Sequence, residues 1–131
     1  MTTEAHITVS DVTMAYGPLV IQRGLNFDIN RGDIFVIMGG SGCGKSTLLK
    51  HMLGLIEPAA GDILYSGKSF THAPDKEKEK MRQRWGITYQ SGGLFSAMDL
   101  AENVALPLQV YTNYNSNHIA DIVAYKLSLV G

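Results

Sequence analysis

Ile34-Phe35-Val36-Ile37-Met38-Gly39-Gly40-Ser41-Gly42-Cys43-Gly44-Lys45-Ser46-Thr47 changes character twice within one short segment. Ile34 to Met38 is a continuous apolar run, rich in β-branched residues, of the kind found in a strand covered on both faces. Gly39 to Gly44 is a tight glycine-rich loop. From Lys45 to Gly54 helix formers return, with Leu48, Leu49, Met52 and Leu53 on one apolar side. The order is therefore strand, loop, helix. In that setting Gly39 through Ser46 meets the pattern G-x-x-x-x-G-K-[ST], which the residue types explain. Glycines let successive N–H groups converge on phosphate oxygens, and the helix N-terminus adds favourable partial charge. Lys45 neutralises the β- and γ-phosphates, and Ser46 offers a hydroxyl ligand to Mg²⁺. A chance match is expected on the order of once in a few hundred chains of this length, and the strand and helix context lowers that further. Thr47 is a secondary candidate, since a first-turn threonine is also satisfied by local backbone bonding. Cys43 lies inside the loop, where a small filler would serve as well as a thiol.

Toward the N-terminus, His6 to Val12 reads as a short strand. Leu25, Phe27 and Ile29 alternate with polar residues as a half-buried partner, giving an antiparallel pair before the turn at Arg31-Gly32-Asp33. Toward the C-terminus, Glu57-Pro58-Ala59-Ala60-Gly61 stops the helix, Asp62 to Tyr65 reads as a strand, and Ser66-Gly67-Lys68 as a turn. The alternating charges of Asp75 to Arg84 describe a solvated helix face. Trp85 to Tyr89 returns to strand character before the turn at Gln90-Ser91-Gly92-Gly93. From Ser116, the residues Ile119, Ile122, Val123, Leu127 and Val130 recur at helical spacing, so the tail is an amphipathic helix whose apolar face needs a partner.

Composition sets the limits. A chain of 131 residues with 45% hydrophobic and 18% charged residues suits one packed domain. Eleven basic against twelve acidic residues give a net charge of -1, so there is no electrostatic case for nucleic acid or an anionic lipid surface, and any cationic function must be local. One cysteine excludes an internal disulfide, and the four histidines show no ligand spacing. Met1-Thr-Thr-Glu-Ala-His6 lacks the order of a secretory signal, and Ile34 to Met38 is too short to cross a bilayer, so a cytosolic location is expected.

Three features in order, Tyr16-Gly17, Gly39 to Thr47 and Tyr89-Gln90-Ser91, go beyond a bare phosphate loop and resemble an ABC transporter ATPase over essentially the whole chain. Taken alone, Tyr16 reads as an aromatic packed at a strand end and Gln90 as an ordinary turn glutamine. The resemblance implies that Tyr16 stacks on adenine and that Gln90, in the Q-loop, approaches Mg²⁺ and the attacking water, a catalytic and metal-associated role. Gly39, Gly40, Ser41, Gly42, Cys43, Gly44, Lys45, Ser46 and Thr47 form the Walker A nucleotide site, with ATP and Mg²⁺ as cofactors. Gln90 to Met98 and Glu102 to Leu108 are similar to the Mla and toluene-tolerance branch, whose transporters move phospholipid between Gram-negative membranes. These residues also suit another importer-like ATPase, in which Leu94, Phe95 and Met98 fill the core.

By this resemblance the fold is α/β, a P-loop NTPase of the ABC type in its N-terminal portion: an antiparallel β subdomain, a mostly parallel core sheet around Ile34 to Met38 and the start of a helical subdomain. Residues 1–131 then form an incomplete nucleotide-binding domain, with 1–90 carrying the ATP-binding core and 91–131 opening the helical part. The implied partners are transmembrane permease subunits and a second ATPase subunit, a homodimer in the intact protein, at the cytoplasmic face of the inner membrane. No signature segment, Walker B carboxylate or switch histidine occurs in this sequence. The expectation is a chain, whether fragment or natural truncation, that binds ATP without hydrolysing it. The competing classes are a non-hydrolysing regulatory fragment and another phosphate-loop enzyme such as a nucleotide kinase. The latter would need an arginine-rich acceptor segment, whereas the sequence after Gln90 is free of arginine.

Overall fold

A computed structural model describes residues 5–131. Met1 to Glu4, on which part of the N-terminal reading rests, lie outside the described residues. The chain divides into two compact units, Met1–Gly86 and Ile87–Gly131.

In the first unit, β1 (Ala5–Tyr16) and β2 (Leu19–Asn30) form a long hairpin. The unit continues through α1 (Lys45–Met52), β3 (Ala60–Tyr65), the two-residue β4 (Lys68–Ser69) and α2 (Asp75–Arg82). The sheet is antiparallel throughout in the order β2-β1-β3-β4. Central β1 buries Val9, Val12 and Met14 with Ile63 of β3; an irregularity in register between Val9 and Val12 returns the chain to the covered face after an odd step, and Val12 and Met14 keep the period of two. Leu48 and Met52, one helical turn apart on α1, close this core. Full burial of each such side chain contributes roughly 1.5–3 kcal/mol, so α1 is fixed to the sheet by its own apolar stripe.

The end of α1 differs from the sequence expectation. The helix stops before Glu57-Pro58, because Gly54 turns left-handed (φ 67). Gly54 N–H donates to His51 C=O (3.0 Å) and Leu55 N–H to Lys50 C=O (2.9 Å), the paired bonds of a glycine C-cap. A Cβ on Gly54 would lie 2.5 Å from Phe70 Cε1, so packing requires glycine here as well. Leu49, assigned to the apolar side, is 42% exposed, while His51 is buried with its Nδ1 on Ile56 C=O at 2.9 Å.

Two expected strands do not form. Ile34 to Met38 is irregular and joins no ladder. Phe35 stacks on Phe27 with ring centroids 5.1 Å apart, and Ile37 packs on the core. Ile34, Val36 and Met38 instead face solvent at 94%, 66% and 85% exposure. The alternation is that of a strand, but a strand acquires its hydrogen bonds from neighbours, and among the described residues nothing pairs with this one. Trp85 to Tyr89 is irregular for the same reason. The mostly parallel core sheet is thus not assembled by the described residues, whereas the antiparallel sheet and the helices are.

The second unit is a helical hairpin of α3 (Leu100–Tyr111) and α4 (Ser116–Ser128). Asp99 and Glu102 form a reciprocal capping box at the start of α3, and Asn115 caps α4 through His118 N–H at 2.9 Å. Ala105 packs against Ile119 and Val123, with Val104, Leu108 and Leu127 around them. The apolar face read in the tail thereby finds its partner in α3, although Val130 falls beyond the helix and is 84% exposed. No helix among the described residues is long and apolar enough to cross a membrane.

Candidate phosphate-binding site

The loop from Gly39 to Gly44 joins the alternating segment to α1, and its shape follows from two positions. Gly44 is the N-cap of α1 in a left-handed conformation (φ 97). A Cβ there would lie 2.8 Å from Ile21 Cγ2 and 3.3 Å from Met14 Cε, so the turn into the helix is pressed directly onto the hairpin. At Gly39 a Cβ would fall 2.5 Å from Cys43 Sγ, so the two ends of the loop close on each other. Cys43 N–H donates to Gly40 C=O at 3.3 Å across that closure.

Lys45 folds back over the loop. Its ammonium donates to Gly39 C=O at 2.8 Å and Gly40 C=O at 2.7 Å, with Cys43 Sγ at 3.6 Å. The cation is thus held at the loop by backbone carbonyls, and among the described residues no carboxylate pairs with it. α1 has no side-chain N-cap and no acidic residue in its first turn. Its first N–H groups, the partial positive end of the helix and one ammonium therefore converge with no counter-charge among the described residues, a combination suited to a phosphate anion. Ser41, Gly42 and Ser46 are exposed on this surface.

Thr47 meets Tyr16 at the end of β1, with 3.5 Å between Tyr16 Oη and Thr47 Oγ1. The hairpin turn after Tyr16 leaves the ring 43% exposed beside the first turn of α1. Tyr16 and Gly39 through Thr47 are therefore gathered in the first unit. Gln90 lies in the second, exposed in a bend. Gly92 and Gly93 (φ 73 and 89) fold that bend back, and a Cβ on Gly93 would sit 2.8 Å from Tyr89 Cδ2. Among the described residues there is no cluster of three His, Cys, Asp or Glu able to hold a metal. A divalent ion at Ser46 would accordingly depend on phosphate oxygens for further ligands, as Mg²⁺ commonly does.

Asn103, which the sequence marks only as part of the Glu102 to Leu108 stretch, organises the loop before α3. Its Oδ1 accepts from Phe95 N–H at 2.8 Å, and its Nδ2 donates to the carbonyls of Phe95, Met98 and Asp99 at 2.9–3.1 Å. The Asp99-x-x-Glu102 spacing was the available signal for the helix start that positions it.

A glycine loop closed on itself, a left-handed glycine opening a helix and a lysine folded over the loop define a phosphate-loop nucleotide-binding architecture. The model for "ABC transporter" matches residues 22–130, and this chain belongs to that family. It is 39% identical over 125 residues to the intermembrane phospholipid transport system ATP-binding protein MlaF of Haemophilus influenzae, covering 95% of this chain and 47% of that protein. It is 38% identical over 125 residues to a protein of Mycobacterium leprae named "Probable ribonucleotide transport ATP-binding protein mkl", covering 95% of this chain and 36% of that one. Among solved structures, cbiO1 from Clostridium perfringens, part of the ABC transporter complex cbiONQ, superposes with a TM-score of 0.79 at 28% identity over 95% of this chain and 50% of that one. The dimeric ATP-binding cassette MJ0796, bound to ADP and Pi after hydrolysis, superposes with a TM-score of 0.82 at 26% identity over 93% of this chain and 56% of that one. The fold class is that of ABC nucleotide-binding domains in their N-terminal portion. The chain spans about a third to a half of the length of these two curated relatives.

Proposed function

We propose that this chain is the ATP-binding portion of an ABC transporter ATPase whose intact form couples ATP hydrolysis to phospholipid movement between Gram-negative membranes. The observation that supports nucleotide binding most directly is the Lys45 ammonium held over the Gly39–Gly44 loop at the uncapped start of α1. In this reading the loop N–H groups, from Gly39 through Cys43 and Gly44, and the first turn of α1 hold the β- and γ-phosphates. Lys45 neutralises them, Thr47 assists in orienting them, and the exposed Tyr16 ring stacks on the adenine. Ser46 would offer its hydroxyl to Mg²⁺, and Gln90 is assigned a metal-associated role by the family resemblance; the ion would supply neutralisation of phosphate charge. The cargo assignment is supported by the 39% identity to MlaF together with the Gln90 to Met98 and Glu102 to Leu108 stretches. Permease subunits and a second ATPase subunit would complete the machine at the cytoplasmic face of the inner membrane.

The sequence contains neither a Walker B carboxylate nor a signature segment, and these groups act mainly on the transition state. For these 131 residues taken by themselves, we infer ground-state affinity for Mg-ATP without turnover. The test is calorimetric binding of Mg-ATP beside phosphate release by the same sample. Binding without release agrees with the proposal; turnover at ordinary enzyme rates that is lost in Lys45→Ala contradicts it. The cargo is tested by proteoliposomes carrying the ATPase with its permease. ATP-dependent transfer of a labelled phospholipid supports the assignment, and transfer of ribonucleotide instead, as the mkl relative's name suggests for that protein, would overturn it.

A further inference from the structure

We propose that the cleft bounded by α1, the β3–β4 hairpin and α2 in the first unit binds an amphiphilic anion, an apolar body carrying a single phosphate or carboxylate head. The cleft has a volume of about 740 Å³, within the roughly 300–1,000 Å³ of small-molecule sites. None of the loop residues from Gly39 to Lys45 lines it, so the site is separate from the one assigned to nucleotide.

Its two halves differ in chemistry. The floor is apolar and aromatic: Met52, Leu53 and Met81 lie beside Tyr65 and Trp85, whose ring centroids are 4.4 Å apart. Around this floor stand four cations, Arg31, Lys68, Lys80 and Arg84, against one acid, Glu77. The single ion pair among the described residues, Lys78 to Glu57 at 3.2 Å, involves none of them. In a chain of net charge -1 these four cations against one carboxylate are a local excess of positive charge.

One end of the rim is also fixed in place. Arg31 Nη2 donates to Ser66 Oγ at 3.3 Å, and His6 Nδ1 lies 3.2 Å from the same oxygen. Ser66 holds a left-handed backbone (φ 49) that residues other than glycine seldom adopt, so its hydroxyl is presented to Arg31 by the turn itself. A free inorganic anion would leave the aromatic floor wet, and a neutral apolar molecule would leave the rim charge unpaired. Only a ligand joining both properties uses the whole cleft.

Trp85 is the single tryptophan of the chain and forms part of the floor, so its fluorescence reports occupancy directly. The full chain would be titrated with dodecyl phosphate and with dodecanoate below their micelle concentrations, and in parallel with dodecyl maltoside and inorganic phosphate. The expected result is a saturable emission change with one or both anionic amphiphiles, the stronger of which identifies the head, and none with the two controls. Replacing Arg31→Ala and Arg84→Ala together should raise the apparent Kd at least tenfold. Arg31→Lys with Arg84→Lys should restore most of the affinity, with circular dichroism unchanged in both. Unmoved emission with both anionic amphiphiles, an equal response to dodecyl maltoside or to inorganic phosphate, or wild-type affinity in the double alanine variant would each overturn the proposal.

Discussion

Substituting alanine for single glycines of the phosphate loop separates backbone conformation from packing. At Gly40 φ is not positive and a Cβ would meet nothing within 4 Å, so Gly40→Ala should change stability by less than about 0.5 kcal/mol or raise it slightly. Gly42 has equally open surroundings but a φ of 79, so Gly42→Ala carries the left-handed penalty alone, about 1–2 kcal/mol. Gly44 combines a φ of 97 with a Cβ position 2.8 Å from Ile21 Cγ2 and 3.3 Å from Met14 Cε. Overpacking of that kind costs about 1–3 kcal/mol, which places Gly44→Ala at about 2–5 kcal/mol. Urea denaturation followed by Trp85 fluorescence reads all three on one scale. A ranking in which Gly44→Ala is no worse than Gly42→Ala would refute the claim that α1 begins pressed against the β1–β2 hairpin.

Tyr65 gives a pH test: its hydroxyl donates to Met52 C=O at 2.6 Å, and burial pushes the phenol far above its ordinary value of 10.0. Above that value the unfolded chain loses the proton while the folded chain keeps it. Stability should therefore hold below about pH 10 and fall as pH rises beyond it. Tyr65→Phe should flatten this fall in denaturation curves measured from pH 8 to 11, and an unchanged slope would count against the buried phenol. At the nucleotide site, Tyr16→Ala should weaken ATP binding by about 1–3 kcal/mol if a base stacks there. Unaltered affinity in calorimetry would return Tyr16 to a packing role at the strand end.

Elements whose partners lie close in sequence were legible. The alternation of Leu25, Phe27 and Ile29 belongs to β2, and the spacing of Ile119, Val123 and Leu127 belongs to α4. In each case the period of the apolar residues is set by the face they bury. Ile34 to Met38 was legible only in part. Composition identifies a segment able to enter a buried sheet, but the ladder depends on neighbouring strands that local sequence does not report. α3 was hidden for the opposite reason: Pro107 inside it argues against a helix, while the Asp99-x-x-Glu102 box that starts it is only four residues of signal. Within the candidate site, Gly39 to Ser46 is a contiguous pattern and could be read directly. The approach of Tyr16 to Thr47 joins residues 31 apart in sequence and required the hairpin to be folded onto α1. His51 likewise carried no mark of its burial, because Ile56 C=O, which satisfies its Nδ1, comes only after the glycine turn that ends the helix.

The central claim is that the loop from Gly39 to Ser46 binds the phosphates of ATP through Lys45. Titration calorimetry of Mg-ATP into the full chain and into Lys45→Ala tests it most directly, with thermal melts of both proteins accounting for the two carbonyl bonds the substitution removes. Saturable binding that weakens at least tenfold in a folded Lys45→Ala protein is the predicted result. Equal affinities in two folded proteins would contradict the account.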